Sequence, residues 1–513
     1  MEHETQFYIN SPIDDKKLGP YKNMNKEEVL NLAKKAENAK EGWKNLSIEK
    51  RLSYIKKMLK VIIENANHYT SLIQEDNGKT KLEALTTEIF SVVSVLEYYI
   101  KHSKRILKTK KVNMPLYLFG KKGYIFYEPL GVVGVVAPWN YPFHLSFVPA
   151  ISAVIAGNTV LVKHSSQTPN TGLIIEDIIK KSGLPDGVLN VVWGKGYVGE
   201  YILSGNIQKL FFTGSTEIGK KLAKICAEKL IPYELELGGS DPAIILDSAN
   251  LERAANGVVW GSLLNSGQTC ISVERVYVTE KNYAQFIEHI KNAIKKVKLG
   301  SNIDCHIGAM TSKSQIDIVK KQLDEATQKG AKILLGGNVS GSFFEPTLIV
   351  DCTNDMSLIK EETFGPVVAI VKTKNDEESL MLANDSRYGL SSSIYGEKND
   401  VKKYFSKIEA GTIVANNSIL ALASPALPFG GVKDSGIGRY RGEEGLKTFC
   451  NVKSVMVDKL TFMNDFVWYP YGHNGYNNYL NFIKKYFGSK NPLKILSALP
   501  LIFKKHGGEK NCD

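Results

Sequence analysis

Val132-Val133-Gly134-Val135-Val136-Ala137-Pro138-Trp139-Asn140-Tyr141-Pro142 is the stretch from which the rest of the chain can be read. Its first six residues are apolar and rich in valine, which predicts a strand buried in a sheet. The two prolines then bracket a turn, with the amide of Asn140 held inside it. That amide has two readings: it orders the turn, or its N–H₂ group stabilises charge on a carbonyl oxygen.

Downstream, short apolar runs alternate with helical patterns: Thr159 to Lys163, Val188 to Trp193, Lys209 to Thr213 and Glu234 to Leu237. Such alternation marks a parallel sheet built from βαβ units. A second series begins near Pro242-Ala243-Ile244-Ile245-Leu246 and continues with Glu274 to Val278 and Val367 to Val371. Two α/β domains are expected, with a boundary near Glu236 to Gly239. Upstream, the first hundred residues read as helical. Asn25 with Glu28 forms a capping arrangement before Val29, Leu32, Ala36, Ala39 and Trp43. Further helices run through Leu52, Ile55, Leu59 and Ile62, and through Leu85, Ile89, Val92, Leu96 and Tyr99.

The 513 residues carry a net charge of +12, with 43% apolar and 23% charged residues, an ordinary globular composition. The charge is confined to two places: 101–122 holds +8 and 457–513 holds +4, so the remainder is neutral on balance. A general nucleic-acid surface is excluded on that distribution. The six cysteines show no CxxC pair and no zinc-type spacing, so neither a disulfide framework nor a metal site is expected. Met1-Glu2-His3-Glu4 is acidic where a signal peptide would be basic and then apolar, and export is not expected from that end. The longest apolar run, Phe147 to Val162, is interrupted by Ser152, Gly157, Asn158 and Thr159, which argues against a membrane-spanning helix.

Two other segments bear chemistry. Gly267-Gln268-Thr269-Cys270 reads as a turn at a loop-to-helix junction, where backbone N–H groups and a helix N-terminus would favour thiolate. An isolated cysteine is otherwise most often a small buried hydrophobe. Glu236, in Leu235-Glu236-Leu237-Gly238-Gly239, is either a structural strand-end acid or a base whose pKa is raised by apolar walls.

Taken in order, these segments resemble the aldehyde dehydrogenase superfamily from about residue 20 to 455. The resemblance rests on PWNYP from Pro138, GNTVLVK from Gly157, FTGSTEIG from Phe212 and LELGG from Leu235. It continues through GQTC from Gly267, EETFGPV from Glu361 and LPFGGVKDSGIGR from Leu427. It implies an α/β fold with a Rossmann-like cofactor domain (1–112 and 129–235) and an α/β catalytic domain (236–451). A small bridging β element (113–128 and 452–460) and a basic, aromatic-rich extension (461–513) complete it. The implied nucleophile is Cys270, which forms a thiohemiacetal and then a thioester; Glu236 is the implied general base. Asn140, with the backbone N–H of Cys270, is the implied oxyanion hole. The implied cofactor is NAD or NADP, held by Trp139, Lys163, Ser166, Gly214, Ser215, Gly219, Glu362 and Phe364. A homodimer or homotetramer is implied, with no metal.

Three departures qualify the resemblance. Many NAD-preferring relatives have glutamate where this chain has Ser166, so acceptance of NADP is expected. Ser240-Asp241 stands where many have lysine, and Tyr440 stands where many hydrolytic relatives have a glutamate assigned to proton relay. The substrate expected is a medium- or long-chain aliphatic aldehyde; the alternative is a small charged semialdehyde. The tail motivates the preference: Tyr476, Tyr479, Leu480, Ile483, Tyr486 and Phe487 recur at helical spacing, and Leu493 to Phe503 is flanked by lysines. Two readings stand for it, a peripheral membrane contact made by 101–122 and 476–505, or docking on its own or a neighbouring subunit. The location expected is cytoplasmic, at a membrane surface on the first of these readings. Glu236 argues against a coenzyme-A-acylating enzyme, and Cys270, Glu236, Asn140 and Glu362 together argue against a non-catalytic scaffold.

Overall fold

The computed structural model describes residues 4–462, 465, 468–469, 474–488 and 497–500. It opens on a hairpin, β1 (Gln6–Asn10) antiparallel to β2 (Lys17–Lys22), where only helix was expected. These strands bury little beyond Phe7, Leu18 and Tyr21, so their apolar signal is sparse. The helix Lys26–Lys44 then starts as anticipated, with a reciprocal capping box between Asn25 and Glu28. The helix Ile48–Glu64 follows. The third helical pattern is interrupted: Ala84–Phe90 is a π-turn feeding the helix Ser91–Ile106. Such widened turns are frequent at functional sites.

Strands β3 (Lys110–Val112) and β4 (Lys121–Pro129) are antiparallel and belong largely to a smaller unit described below. Five parallel strands come next: β5 (Val132–Val136), β6 (Thr159–Lys163), β7 (Leu189–Val192), β8 (Lys209–Thr213) and β9 (Tyr233–Glu236). Their order in the sheet is β9-β8-β5-β6-β7. Every residue of β6, β7 and β8 is buried, as parallel strands covered on both faces require. The helix Pro142–Ala156 supplies much of that cover, with all 15 of its residues buried. At about 1.5–3 kcal/mol for each large apolar side chain, it is a principal anchor of the sheet.

The second sheet contains β10 (Asp241–Ile245), β11 (Val273–Thr279), β12 (Lys332–Leu335), β15 (Thr347–Cys352), β16 (Val367–Thr373), β17 (Ser391–Tyr395) and β18 (Thr412–Ala415). A short hairpin of β13 (Val339–Ser340) and β14 (Phe343–Phe344) stands apart from it. The order is β12-β15-β16-β11-β10-β17-β18, parallel except for β12. Alternate residues divide between two cores: Ile244, Tyr277 and Ala369 on one face, Ala243, Val276 and Val368 on the other. A late segment then returns to the first sheet, where β19 (Gly436–Ile437) pairs antiparallel with β9. Both sheets lie in one compact unit, residues up to Leu107 with Pro129–Cys450.

The smaller unit contains Lys108–Glu128 and the chain after Cys450. Its sheet has the order β20-β4-β3, β20 being Cys450–Asp458. Lys121 pairs with Asp458 and Asp465. The tail helix Gly475–Tyr486 buries Phe482, which the expected apolar stripe did not include, and packs Tyr479 and Tyr486 with Tyr117. Tyr476, Ile483 and Phe487 remain exposed. Of the expected segment Leu493 to Phe503, all but 497–500 lies outside the described residues. Among the described residues, no helix is long and apolar enough to cross a membrane.

Candidate active site

The segments singled out by sequence converge through strand direction. Asn140 follows β5, Lys163 closes β6, Gly214 and Ser215 follow β8, and Glu236 closes β9. Carboxyl ends of parallel strands are where open α/β sheets bind ligands. The second sheet contributes from the opposite ends of its strands: Cys270 lies just before β11, and Glu362 and Phe364 just before β16.

Cys270 sits in a turn between the 3₁₀ segment Leu264–Gly267 and β11. Asn265, Ser266 and Gly267 are all left-handed, with φ of 55, 55 and 74°. A side chain at Gly267 would bring its Cβ within 2.0 Å of the Gly365 carbonyl, so this turn requires glycine. No helix begins at Cys270, contrary to the expected loop-to-helix junction. The apolar run Val273–Thr279 is a fully buried strand, and the neighbouring helix Leu251–Leu263 ends before the turn. Burial, reinforced by Asp241, Glu362 and Glu236, pushes the thiol well above its ordinary range. A lowered thiol pKa was expected; with no adjoining cation or helix N-terminus among the described residues, the opposite holds, and ionisation needs a base.

Glu236 is buried, and neither carboxylate oxygen has a hydrogen-bond partner. Burial pushes its carboxyl well above the usual range; Arg439 opposes this and Glu234 adds to it. Asn140 donates from Nδ2 to the Gln268 carbonyl at 3.2 Å, while its Oδ1 is buried without a partner. Its backbone carbonyl accepts Asn265 Nδ2 and Lys79 Nζ, each at 2.9 Å.

Two cavities meet at Cys270. One, of ≈ 340 Å³, is mainly apolar, with Phe90, Leu145, Trp260, Leu264, Ile419 and Phe429 on its walls and both Glu236 and Cys270 in its lining. The other, of ≈ 330 Å³, is lined by Trp139, Asn140, Gly214, Ser215, Glu362 and Phe364. Trp139 and Phe364 meet edge to face, ring centroids 5.5 Å apart. Glu362 Oε1 accepts the Gly239 N–H at 3.1 Å, and burial raises this carboxyl to about 7. Ser215 caps the helix Thr216–Glu228.

Lys163, Ser166 and Gly219 line neither cavity. Lys163 is buried, donates to the His164 carbonyl at 2.9 Å, and is lowered to about 8 by burial. Ser166 is half-buried in the loop after β6. Gly219 lies against the strand end, where a Cβ would come 2.4 Å from Leu237, so its visible role is close helix packing.

Sequence reasoning passed over four buried groups around this centre. Lys79 and Glu88 form an ion pair with no exposed side-chain surface, at 2.7 Å. Glu274 accepts the backbone N–H groups of Thr363 and Phe364. Arg441 lines the apolar cavity, with a buried Nε lacking a partner. Each reads in isolation as a surface charge; no periodicity separates it from one. Among the described residues, no cluster of three or more His, Cys, Asp or Glu could hold a metal ion.

A profile of the Aldehyde dehydrogenase family matches residues 1–455. The chain is 34% identical over 490 residues to a 4,4'-diapolycopene aldehyde oxidase of Methylomonas sp, covering 94% of this chain and 92% of that protein. It is 32% identical over 458 residues to the glutarate-semialdehyde dehydrogenase of Pseudomonas putida, covering 88% and 94%. The NAD+ complex of an aldehyde dehydrogenase from Bacillus cereus superposes with a TM-score of 0.84 at 33% identity, covering 88% of this chain and 93% of that one. Profile, relatives and superposition agree with one another: the chain belongs to the aldehyde dehydrogenase family.

Proposed function

We propose that the protein oxidises a lipophilic aldehyde, of medium or long aliphatic chain, to the carboxylic acid with NAD or NADP. The observation that carries this reading is the position of Cys270 where an apolar cavity and a polar-edged one meet. The second cavity's residues fit a dinucleotide. The Glu362 carboxyl lies close beside the Gly238 backbone, where a Cβ would come 2.6 Å from Oε2. Gly214 and Ser215 lead into a helix N-terminus suited to phosphate, and Trp139 and Phe364 offer an aromatic wall. Ser166 presents a hydroxyl rather than a carboxylate, which supports acceptance of a 2′-phosphate. When bound, the nicotinamide accepts the hydride released from the substrate carbon.

In this reading Glu236 accepts the Sγ proton, and the thiolate attacks the aldehyde carbon to give a thiohemiacetal. A buried carboxyl with a raised pKa is matched to a thiol with a raised pKa, because the proton moves between two groups that both resist charge. The free N–H of Asn140 and the Cys270 backbone N–H hold the developing oxyanion. After hydride loss leaves a thioester, Glu236 takes a proton from water, which attacks the acyl carbon and releases the acid. Tyr440 lines the apolar cavity and offers no carboxylate relay, so Glu236 exchanges its proton through water. The exposed Val452, Met456 and Val457 of β20 support pairing of copies into a homodimer or homotetramer.

A second reading, a semialdehyde substrate carrying a carboxylate, is favoured by Arg441, whose buried guanidinium has no acidic partner among the described residues. The test is NAD(P)H formation across straight-chain aldehydes and carboxylated aldehydes, with Cys270→Ala as control. On the proposed function, kcat/KM rises with chain length and Cys270→Ala abolishes turnover. A preference for short carboxylated aldehydes selects the second reading; undiminished activity of Cys270→Ala removes both.

A further inference from the structure

The amide of Asn140 can stabilise charge only if it is aimed, and its backbone is held by a buried ion pair that no step above uses. Lys79 Nζ donates to Glu88 Oε1 at 2.7 Å and to the Asn140 carbonyl at 2.9 Å. The same ammonium lies 4.2 Å from the centroid of the Tyr141 ring. The other Glu88 oxygen accepts the His144 N–H at 2.8 Å, in the open first turn of the helix Pro142–Ala156. One ion pair thus grips the Asn140 turn and the start of the helix behind it. The π-turn Ala84–Phe90 carries Glu88 to this position.

Stability alone is a poor reason for this arrangement. Replacing both members of a buried ion pair by apolar residues often leaves a fold as stable or more so, because desolvation offsets the attraction. What the pair supplies is direction, since each ammonium contact is short and the carboxylate is itself tied to the helix. We propose that Lys79, held by Glu88, is a positioning residue that aims the Asn140 amide at the substrate oxygen on Cys270. This rests on the thiohemiacetal chemistry proposed above, and it adds a determinant of kcat outside the cavity walls. Displacing a catalytic group by about 1 Å can cost on the order of 100-fold.

The test is a cycle between the pair and the amide it aims. Lys79→Met combined with Glu88→Leu removes both charges together and avoids stranding either one. In the native background kcat is expected to fall about tenfold or more, with aldehyde KM and cofactor Kd changed less than about twofold. In an Asn140→Ala background the same double change is expected to alter kcat less than about twofold, because its target is gone. Glu88→Gln keeps the volume and an acceptor oxygen for Lys79 but loses the charge and, because its amide nitrogen only donates, the contact with the His144 N–H; it serves if the double variant folds poorly, and should show a smaller kcat loss, again only when Asn140 is present. Equal losses in both backgrounds would overturn the positioning role, as would no loss in the native one. Turnover insensitive to both Asn140→Ala and Cys270→Ala would instead remove the chemistry on which the inference rests, and the inference with it.

Discussion

The Glu274 carboxylate accepts the Phe364 N–H at 2.8 Å through one oxygen and the Thr363 N–H at 2.9 Å through the other. Phe364 is left-handed, with φ of 52°, and a non-glycine residue in that conformation costs about 1–3 kcal/mol unless its surroundings enforce it. Burial and the nearby Glu362 raise the Glu274 carboxyl to about 8. Glu274→Ala releases the segment that carries Glu362 and Phe364. Cofactor KM is expected to rise about tenfold, with a smaller change in aldehyde KM. Initial rates at varied NAD and NADP check this; an unchanged cofactor KM contradicts it.

Glu236 links activity to stability. Its carboxyl is pushed well above the ordinary 4.5 by burial, so the folded chain resists its ionisation more than the unfolded chain does. The resulting penalty is absent below about pH 4.5, grows as the unfolded state ionises, and levels off above the raised pKa. Glu236→Gln should therefore lower kcat by about 100-fold or more while raising Tm by roughly 2–5 °C near neutral pH. That Tm advantage should shrink toward pH 4.5. Thermal melts across pH, paired with turnover, measure both; a Tm drop at neutral pH would refute the assignment of buried strain.

Lys163 predicts an alkaline limb. Burial lowers its ammonium to about 8 from 10.5, so the cation is present below pH 8 and lost above it. If it contacts the cofactor, cofactor KM rises above about pH 8, and Lys163→Met flattens that rise. Between pH 8 and 10.5 the folded chain holds fewer protons than the unfolded one, so stability increases with pH there and the variant loses that increase. Cofactor titrations from pH 7 to 10 decide the point.

The apolar cavity makes a chain-length prediction. Ala423 lines it with Leu420 and Leu422. Ala423→Phe fills space that a long chain would use, so kcat/KM should fall about tenfold for long aldehydes and much less for ethanal. A uniform fall across the series would place the lipophilic chain elsewhere.

Much of this centre was legible before any coordinates. Cys270, Glu236 and Asn140 each stand at a strand boundary that an apolar run announces, so motif and local pattern reinforce one another. The thiol's surroundings were not legible, because a turn after a helix can lead to helix or strand, and burial in the sheet decided for Val273. Lys79 and Glu88 were missed for a related reason. Their partnership depends on the π-turn, which breaks the spacing that helical periodicity assumes. In the tail, Tyr479 and Tyr486 of the expected stripe do pack with Tyr117, but the buried side chain at the centre of that cluster is Phe482, since packing against Tyr117 selects a face that sequence spacing leaves open.

Strand β19 carries a consequence for how the protein is made. Gly436 pairs with Glu236, which lies two hundred positions earlier in the chain, so the edge strand beside the base comes late in synthesis. Cys270 lies between these two strands in the sequence, so the nucleophile is synthesised before the strand that completes the edge beside Glu236. The site is thus closed by a contact of long sequence separation, whose loop-closure cost places it among the later ones to form. A chain cut before Gly436 leaves β9 without this antiparallel partner, and so without the edge beside Glu236.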